Sequence, residues 1–348
     1  MAFQVTLQPS GHTFTVPEGA SILRTGLDAG FMMPYSCKQG VCRTCRGTIL
    51  EGKVNYGEVH PTYLPDTDKA KGYALLCQAQ PLSDLVIEVQ ELDAMGGIKP
   101  KLFPCRVMKI DKPAPDVAIL SLRLPMNDNM VFLAGQYVEF ILKDGKRRAY
   151  SIATTPTPEG TIDLELHVRH TPGGLFTDHV FGEMKERALL RFEGPLGTFF
   201  LREESTKPMV FVASGTGFAP IKSMLQYAFR KSLNATRPMV LYWGCRAGRD
   251  LYQLDLPQRW ATEQVNFKFI PVLSDATPEC QWTGRTGFVH RAVMEDFPDL
   301  SGHQVYACGA PVMVDAAKRD FSAQCGLPAE EFFADSFLTE ADKATAAT

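Results

Sequence analysis

The chain has 348 residues, 45% hydrophobic and 22% charged with a formal net charge of −3, a composition that fits a globular protein of two or three domains and excludes a disordered chain. The slight acidity lacks the basic footprint of a dedicated nucleic-acid binder, and no run reaches the ~18 apolar residues of a membrane helix. Nine cysteines, an odd number with four in one spaced cluster and no secretory signal in view, point to metal or redox use in a reducing compartment, so a cytoplasmic location is expected.

In chain order, FQVTLQ and HTFTVP alternate polar and apolar residues around Gly11 and predict a hairpin, not a signal peptide. ASILRTGLDAG predicts a short helix with Ile22, Leu23 and Leu27 on one side and Gly30 at its end. The segment CKQGVCRTCRG follows, then Cys77 and the strand LVIEV. Residues 94–101, AMGGIKPK, are the linker candidate because they hold glycines, a proline and lysines with little to pack.

From residue 102 to 204 six short β runs (CRVMKI, VAILSLRL, QYVEFIL, AYSIAT, IDLELHVRH and ALLRFEG) predict a small antiparallel barrel. From 205 to 348 the rhythm changes. MVFVAS, MVLYWG, FKFIPVL and QVYAC alternate with helical stretches such as PIKSMLQYAFRKSL and PVMVDAAKRDFSAQCG, the pattern of a parallel sheet with crossover helices. The tail ADKATAAT is expected to fray.

Within residues 1–93 the cysteines read Cys37-x4-Cys42-x2-Cys45, with Cys77 distant. Two irons bridged by two sulfides need four thiolates, of which a tight loop can supply three, and this spacing is the plant-type [2Fe–2S] signature. Gly40 lets the loop backbone turn close to the sulfur atoms. The alternatives are a zinc site, which favours two close cysteine pairs, and a redox pair at Cys42 and Cys45, which lacks a strand-to-helix context. The region resembles plant-type ferredoxins over its length. It departs from them at Arg43, where the family usually has glycine, and an arginine would be strained at a positive φ. With Lys38 and Arg46, Arg43 would make a basic rim able to steer an acidic partner and to raise the cluster's potential. The plain alternative is a solvated loop arginine.

In the β-rich region Arg148-Ala149-Tyr150-Ser151 alternates a cation, a ring and a hydroxyl on an extended segment. An arginine suits a diphosphate and a ring suits a flat cofactor, but four residues are a weak signal beside a plain edge strand. His167-Val168-Arg169, Pro172-Gly173-Gly174 leading to Thr177, and Gly194-Pro195-Leu196-Gly197 follow in order. Together they resemble the FAD domain of the ferredoxin–NADP reductase superfamily. The resemblance implies Arg148 on the FAD diphosphate, Tyr150 against the isoalloxazine, Ser151 near its N5, and Gly174 and Thr177 at the diphosphate. His167 and Arg169 are further cofactor candidates, although a strand histidine is as readily a packed core residue.

VFVASGTGFAPIKSML is a strand, a glycine turn and a helix start, where Gly215, Thr216 and Gly217 would let a pyrophosphate approach the backbone. Pro220 at the third glycine position defeats the G-x-G-x-x-G fingerprint. The run instead resembles the G-T-G-x-A-P turn of the same superfamily, as do Tyr242-Trp243-Gly244-Cys245-Arg246 and Cys308-Gly309-Ala310-Pro311-Val312-Met313. The resemblance implies Cys308 and Gly309 beside the nicotinamide, and from FFADSF it implies Asp335 near the hydride-transfer centre and Phe337 near the flavin or nicotinamide. The alternative for FFADSF is a terminal strand that only packs. Asp275 after Ser274 would repel a 2′-phosphate and accept from ribose hydroxyls, which favours NADH over NADPH, while Arg246, Arg249 and Arg285 leave room for the opposite.

The order of the three regions resembles the one-chain reductase components of bacterial oxygenases for phenol, methane and terephthalate, and equally the reductases of sugar-deoxygenating dehydrases. The implied architecture is a β-grasp [2Fe–2S] domain, an antiparallel β-barrel FAD domain and an α/β parallel-sheet nicotinamide-nucleotide domain. The implied activity passes hydride from NADH to FAD, then single electrons through the cluster to a terminal oxygenase, expected in aromatic-compound catabolism. The alternatives are a pyridoxamine-phosphate-dependent sugar dehydrase as acceptor, or a redox-sensing module without turnover. A monomer that forms a transient complex with its acceptor is expected, with no nucleic acid and no membrane.

Overall fold

The computed structural model describes residues 1–92 and 98–337. They belong to two compact units, one on each side of residues 93–97. Residues 94–97 of the expected linker and the ADKATAAT tail lie outside the described residues.

In the first unit, β1 (Ala2–Gln8) and β2 (Thr13–Pro17) form the expected antiparallel hairpin. Helix α1 (Ile22–Asp28) starts where the Ser21 hydroxyl accepts from the Arg24 N–H at 3.3 Å, a side-chain cap that satisfies an orphan donor. The chain continues through β3 (Arg46–Glu51), β4 (Val54–Asn55), α2 (Asp66–Ala70), β5 (Tyr73–Leu75), β6 (Gln80–Pro81) and β7 (Leu85–Glu88). The sheet order β2-β1-β7-β3-β5, with β1 and β7 parallel, is a β-grasp sheet, and β4 and β6 pair separately. Val5, Leu7, Phe14 and Val16 alternate inward along the hairpin and meet Ile22 and Leu23 of α1 in one core.

The second unit opens with β8 (Lys101–Ala114), β9 (Val117–Arg123), β10 (Tyr137–Ile141), β11 (Arg147–Ser151), β12 (Asp163–Arg169), α3 (Leu175–Phe181) and β13 (Leu189–Leu196). The strand order is β11-β10-β13-β8-β9-β12. A bridge from Ile152 to Leu166, with the Ala153 N–H donating to the Glu165 carbonyl at 2.8 Å, closes the sheet into a barrel around Phe103, Phe140 and Phe192. Next come β14 (Met209–Ser214), α4 (Phe218–Arg230), β15 (Met239–Cys245), α5 (Asp255–Glu263), β16 (Phe267–Leu273), β17 (Arg285–Thr286), α6 (Val289–Asp296), β18 (Gln304–Gly309), α7 (Pro311–Gln324) and β19 (Phe332–Ser336). Their order is β17-β16-β15-β14-β18-β19, all parallel.

Apolar side chains on both faces explain the continuous hydrophobic runs. One face packs Val210, Val212 and Tyr242 with Val293 and Phe321. The other packs Phe211, Trp243 and Tyr306 with the barrel residues Val117, Ile119, Phe199 and Leu201, so barrel and sheet share a core. Sequence patterning anticipates neither α5, α6 nor β17.

Phe192 is fully buried and packs on Phe103 and Phe140 at ring separations of 5.6 and 5.9 Å. Phe192→Ala is expected to cost about 3–5 kcal/mol, read as a lowered urea midpoint for residues 98–337.

Candidate functional site

The cysteine loop of the first unit is held by its own backbone. The N–H groups of Gln39 and Cys42 donate to Cys37 Sγ at 3.3 and 3.4 Å, and the Cys37 N–H donates to Cys42 Sγ at 3.5 Å. The Gln78 side chain next to Cys77 donates to the Lys38 carbonyl at 3.2 Å and ties the remote cysteine to the loop.

The four sulfurs associate as Cys37 with Cys42 and Cys45 with Cys77. The Cys37 thiol is drawn down to about 7, first by its hydrogen bond with Cys42 and, against burial, by the backbone N–H groups around it. Cys77 is lowered first by its hydrogen bond with Cys45. Their partners Cys42 and Cys45 are raised by the same contacts and by burial. Cys42 also acts on Cys45 and Cys77 through space, so the two pairs adjoin. Among the described residues no group of three or more His, Cys, Asp or Glu side chains is placed to hold a metal ion. The all-cysteine donor set, three on one loop at C-x4-C-x2-C spacing and the fourth distant, fits the [2Fe–2S] group.

Arg43 has φ +61° and Lys38 φ +55°, so the loop takes the left-handed backbone that favours glycine and places arginine and lysine there. The Arg43 guanidinium donates to the Thr62 carbonyl, and the Arg46 guanidinium lies 4.4 Å over the Tyr73 ring. Both rim arginines therefore make contacts within their own unit.

In the barrel, β11 carries Arg148 and Tyr150 on one face and Ser151 on the other. The Tyr150 ring packs 5.2 Å from Phe176 of α3, its hydroxyl raised by burial despite the nearby Arg148 guanidinium. Ser151 is 4% exposed and its Oγ has no protein hydrogen-bond partner. A buried hydroxyl left orphaned costs free energy, so this strand end fits an acceptor edge such as that of a flavin ring. Gly174 caps α3, and the Thr177 hydroxyl donates to the Thr171 carbonyl at 2.8 Å, spending itself on shaping the turn.

His167 and Arg169 face the parallel-sheet part of the unit. Both His167 nitrogens are engaged, with Tyr252 Oη and Glu165 Oε1, each at 2.7 Å. Arg169 is paired with Asp116 at 3.0 Å, and one of its guanidinium nitrogens lies 3.0 Å from where a Cβ on Gly215 would be.

The C-terminal ends of the parallel strands gather the remaining candidates, where ligands bind in such sheets. A Cβ on Gly217 would collide with the Cys308 carbonyl, and one on Gly309 with Ser214. The Ser214 hydroxyl accepts from the Ala310 N–H at 2.9 Å, and Trp243 Nε1 donates to the Gly215 carbonyl at 3.0 Å. These contacts leave a turn of backbone around buried Thr216 that a pyrophosphate can approach.

Cys308 is fully buried and its thiol is pushed well above the ordinary range by burial and then by Asp335, its register partner on β19. The Phe337 N–H donates to the Gly309 carbonyl at 2.8 Å, which brings the last described residue to the same edge. Asp275 and Arg246 adjoin at the ends of β16 and β15, where the Asp275 N–H donates to the Arg246 carbonyl at 2.9 Å. Arg285 is taken up by Glu295 at 2.5 Å and by Asp296, and so is bound to α6.

Sequence reasoning missed Glu165, Lys222 and Tyr252. Lys222 pairs with Glu165, whose carboxyl burial would raise but which His167 and Lys222 hold at about 2. A signal existed: in LELHVR the polar residues 165, 167 and 169 alternate with core Leu164, Leu166 and Val168, so three polar groups share one face of β12.

Ser151→Ala is expected to leave the denaturation midpoint nearly unchanged, since no protein hydrogen bond is lost, and to slow flavin reduction by roughly 10–100-fold. Anaerobic stopped flow with NADH followed at the flavin band, beside a urea melt, checks both.

The chain matches the 2Fe-2S iron-sulfur cluster binding domain over residues 5–82, the oxidoreductase FAD-binding domain over 104–201 and the oxidoreductase NAD-binding domain over 211–319. It is 43% identical over 338 residues to the CDP-6-deoxy-L-threo-D-glycero-4-hexulose-3-dehydrase reductase of Yersinia pseudotuberculosis, covering 97% of this chain and 99% of that one. It is 34% identical to the phenol 2-monooxygenase reductase component DmpP of Pseudomonas sp. strain CF600, covering 99% and 97%. The crystal structure of the Amycolatopsis cytochrome P450 reductase GcoB superposes with a TM-score of 0.76 at 33% identity, covering 96% and 98%.

Proposed function

This chain belongs to the ferredoxin–NADP reductase-type 2Fe–2S flavin reductases, and from that premise we propose that it delivers electrons from NADH to a terminal oxygenase of an aromatic-compound-degrading system. When bound, FAD and the cluster would supply the conversion of the single two-electron hydride of NADH into one-electron transfers. The four paired cysteines hold the cluster. Arg148, Tyr150 and the Gly174 turn, which Thr177 shapes, bind and cover FAD, and the Ser151 hydroxyl offers a hydrogen bond at its reactive edge. Gly215, Thr216 and Gly217 take the nucleotide pyrophosphate. The protonated Cys308 thiol and Asp335 border the nicotinamide, with Phe337 closing the site. Residues 1–93, 102–204 and 205–348 form the three functional domains. The protein acts as a cytoplasmic monomer that meets its acceptor transiently.

The observation that carries the reading is the orphaned buried Ser151 hydroxyl on a barrel fused by a shared core to a nucleotide-type sheet. A second reading, delivery to a sugar-deoxygenating dehydrase, is favoured by the 43% identity to the Yersinia protein. The loaded protein should be brown-yellow and reduce cytochrome c with NADH, and reconstitution with an oxygenase and with a dehydrase component separates the two acceptors. No NADH-driven turnover with flavin and cluster both bound would defeat both readings.

Asp275→Arg is expected to raise the NADPH-to-NADH ratio of kcat/KM by about tenfold, because it exchanges a like charge for a phosphate-binding fork. Steady-state kinetics with both nucleotides measures it.

A further inference from the structure

The contact between barrel and sheet in the second unit contains a buried polar chain among apolar side chains. Tyr252, on the segment after β15, bonds His167 of β12. His167 bonds Glu165 on the same strand, and Glu165 pairs with Lys222 in the second turn of α4. His167, Lys222 and Tyr252 are all buried. Burial keeps the Tyr252 hydroxyl protonated and lowers His167 despite the Glu165 carboxylate. Tyr252 therefore donates to Nδ1, and the protonated Nε2 donates to Glu165.

The chain runs on to the nucleotide turn through Trp243. Tyr252 stands edge-on to Trp243 at 5.2 Å, Trp243 bonds the Gly215 carbonyl, and Phe218 at the start of α4 stacks on Trp243 at 4.1 Å. It also reaches the flavin side of the barrel. Thr154, three residues after Ser151, accepts the Glu165 N–H at 2.6 Å and receives the Ser223 hydroxyl of α4 at its carbonyl, also at 2.6 Å.

We propose that Tyr252, His167, Glu165 and Lys222 are positioning residues that set the registry between the glycine turn and the barrel edge bearing Ser151, and so govern the rate of hydride transfer more than the affinity for NADH. This rests on the functional reading above. The apolar part of the interface, Phe199 and Leu201 against Phe211 and Tyr306, is non-directional and tolerates small slides. The polar chain does not, because a slide leaves buried donors and acceptors unpaired at about 1–3 kcal/mol each. Hydride transfer needs reacting atoms about 3–3.5 Å apart, and a displacement near 1 Å costs on the order of 100-fold. The backbone of the Gly215–Gly217 turn belongs to the sheet, so a pyrophosphate held there moves with the sheet in such a slide.

The test uses the full chain loaded with FAD and cluster, mixed with NADH in an anaerobic stopped flow. Wild type should be reduced rapidly, and failure at that step would strike the functional reading itself. Tyr252→Phe, which removes only a hydroxyl, should lower the limiting flavin-reduction rate about tenfold, a loss worth one buried hydrogen bond. The NAD+ dissociation constant by calorimetry should stay within about twofold, since the turn is untouched. Glu165→Gln should behave likewise should Tyr252→Phe fold poorly, and His167→Gln should recover part of the rate lost in His167→Ala. The inference is overturned if limiting rates stay at the wild-type value, if weaker nucleotide binding accounts for the whole loss, or if only the melting temperature moves.

Discussion

Two turns at the end of the parallel sheet must touch backbone to backbone. Gly217 lies against the Cys308 carbonyl and Gly309 against Ser214, and neither position has space for a Cβ. That approach draws the ends of β14 and β18 together, leaves Thr216 buried between them, and lets the Ser214 hydroxyl satisfy the Ala310 N–H. β19 then pairs with β18, which puts Asp335 next to Cys308 and lets Phe337 close on Gly309. A side chain at either glycine would push the two turns apart.

Burial sets the electrostatics of this edge. The Cys308 thiol lies in a dry site beside a carboxylate, and both conditions oppose a thiolate. A thiol kept neutral in this way is not a nucleophile. The cysteines of the first unit are the contrast. There the backbone N–H groups of the loop and the paired sulfurs favour thiolate on one member of each pair, which is the state in which sulfur binds iron.

Local spacing carried most of the reading. Cys37, Cys42 and Cys45 sit on one loop, and the Ser214–Gly217 and Cys308–Ala310 turns each lie between a strand and a helix, so their geometry follows from contiguous residues. Arg43 was legible as a departure from glycine, and the structure keeps the positive φ with arginine in place. Its bond to Thr62 was not legible, because that partner comes from a separate turn. His167 shows the same limit. Its strand and its polar face could be read from LELHVR, but its partners Tyr252 and, through Glu165, Lys222 come from distant segments.

The sequence by itself determined the three-part order, the thiol set and the glycine turns, because each is encoded by residues within one short segment. Only tertiary structure decided that the sulfurs associate in two pairs, that Ser151 is buried without a partner, that Arg285 is bound by α6, and that barrel and sheet share a core across which His167 is bonded. Those features depend on which distant side chains reach one another, and burial and hydrogen bonding are settled only when the whole chain has packed.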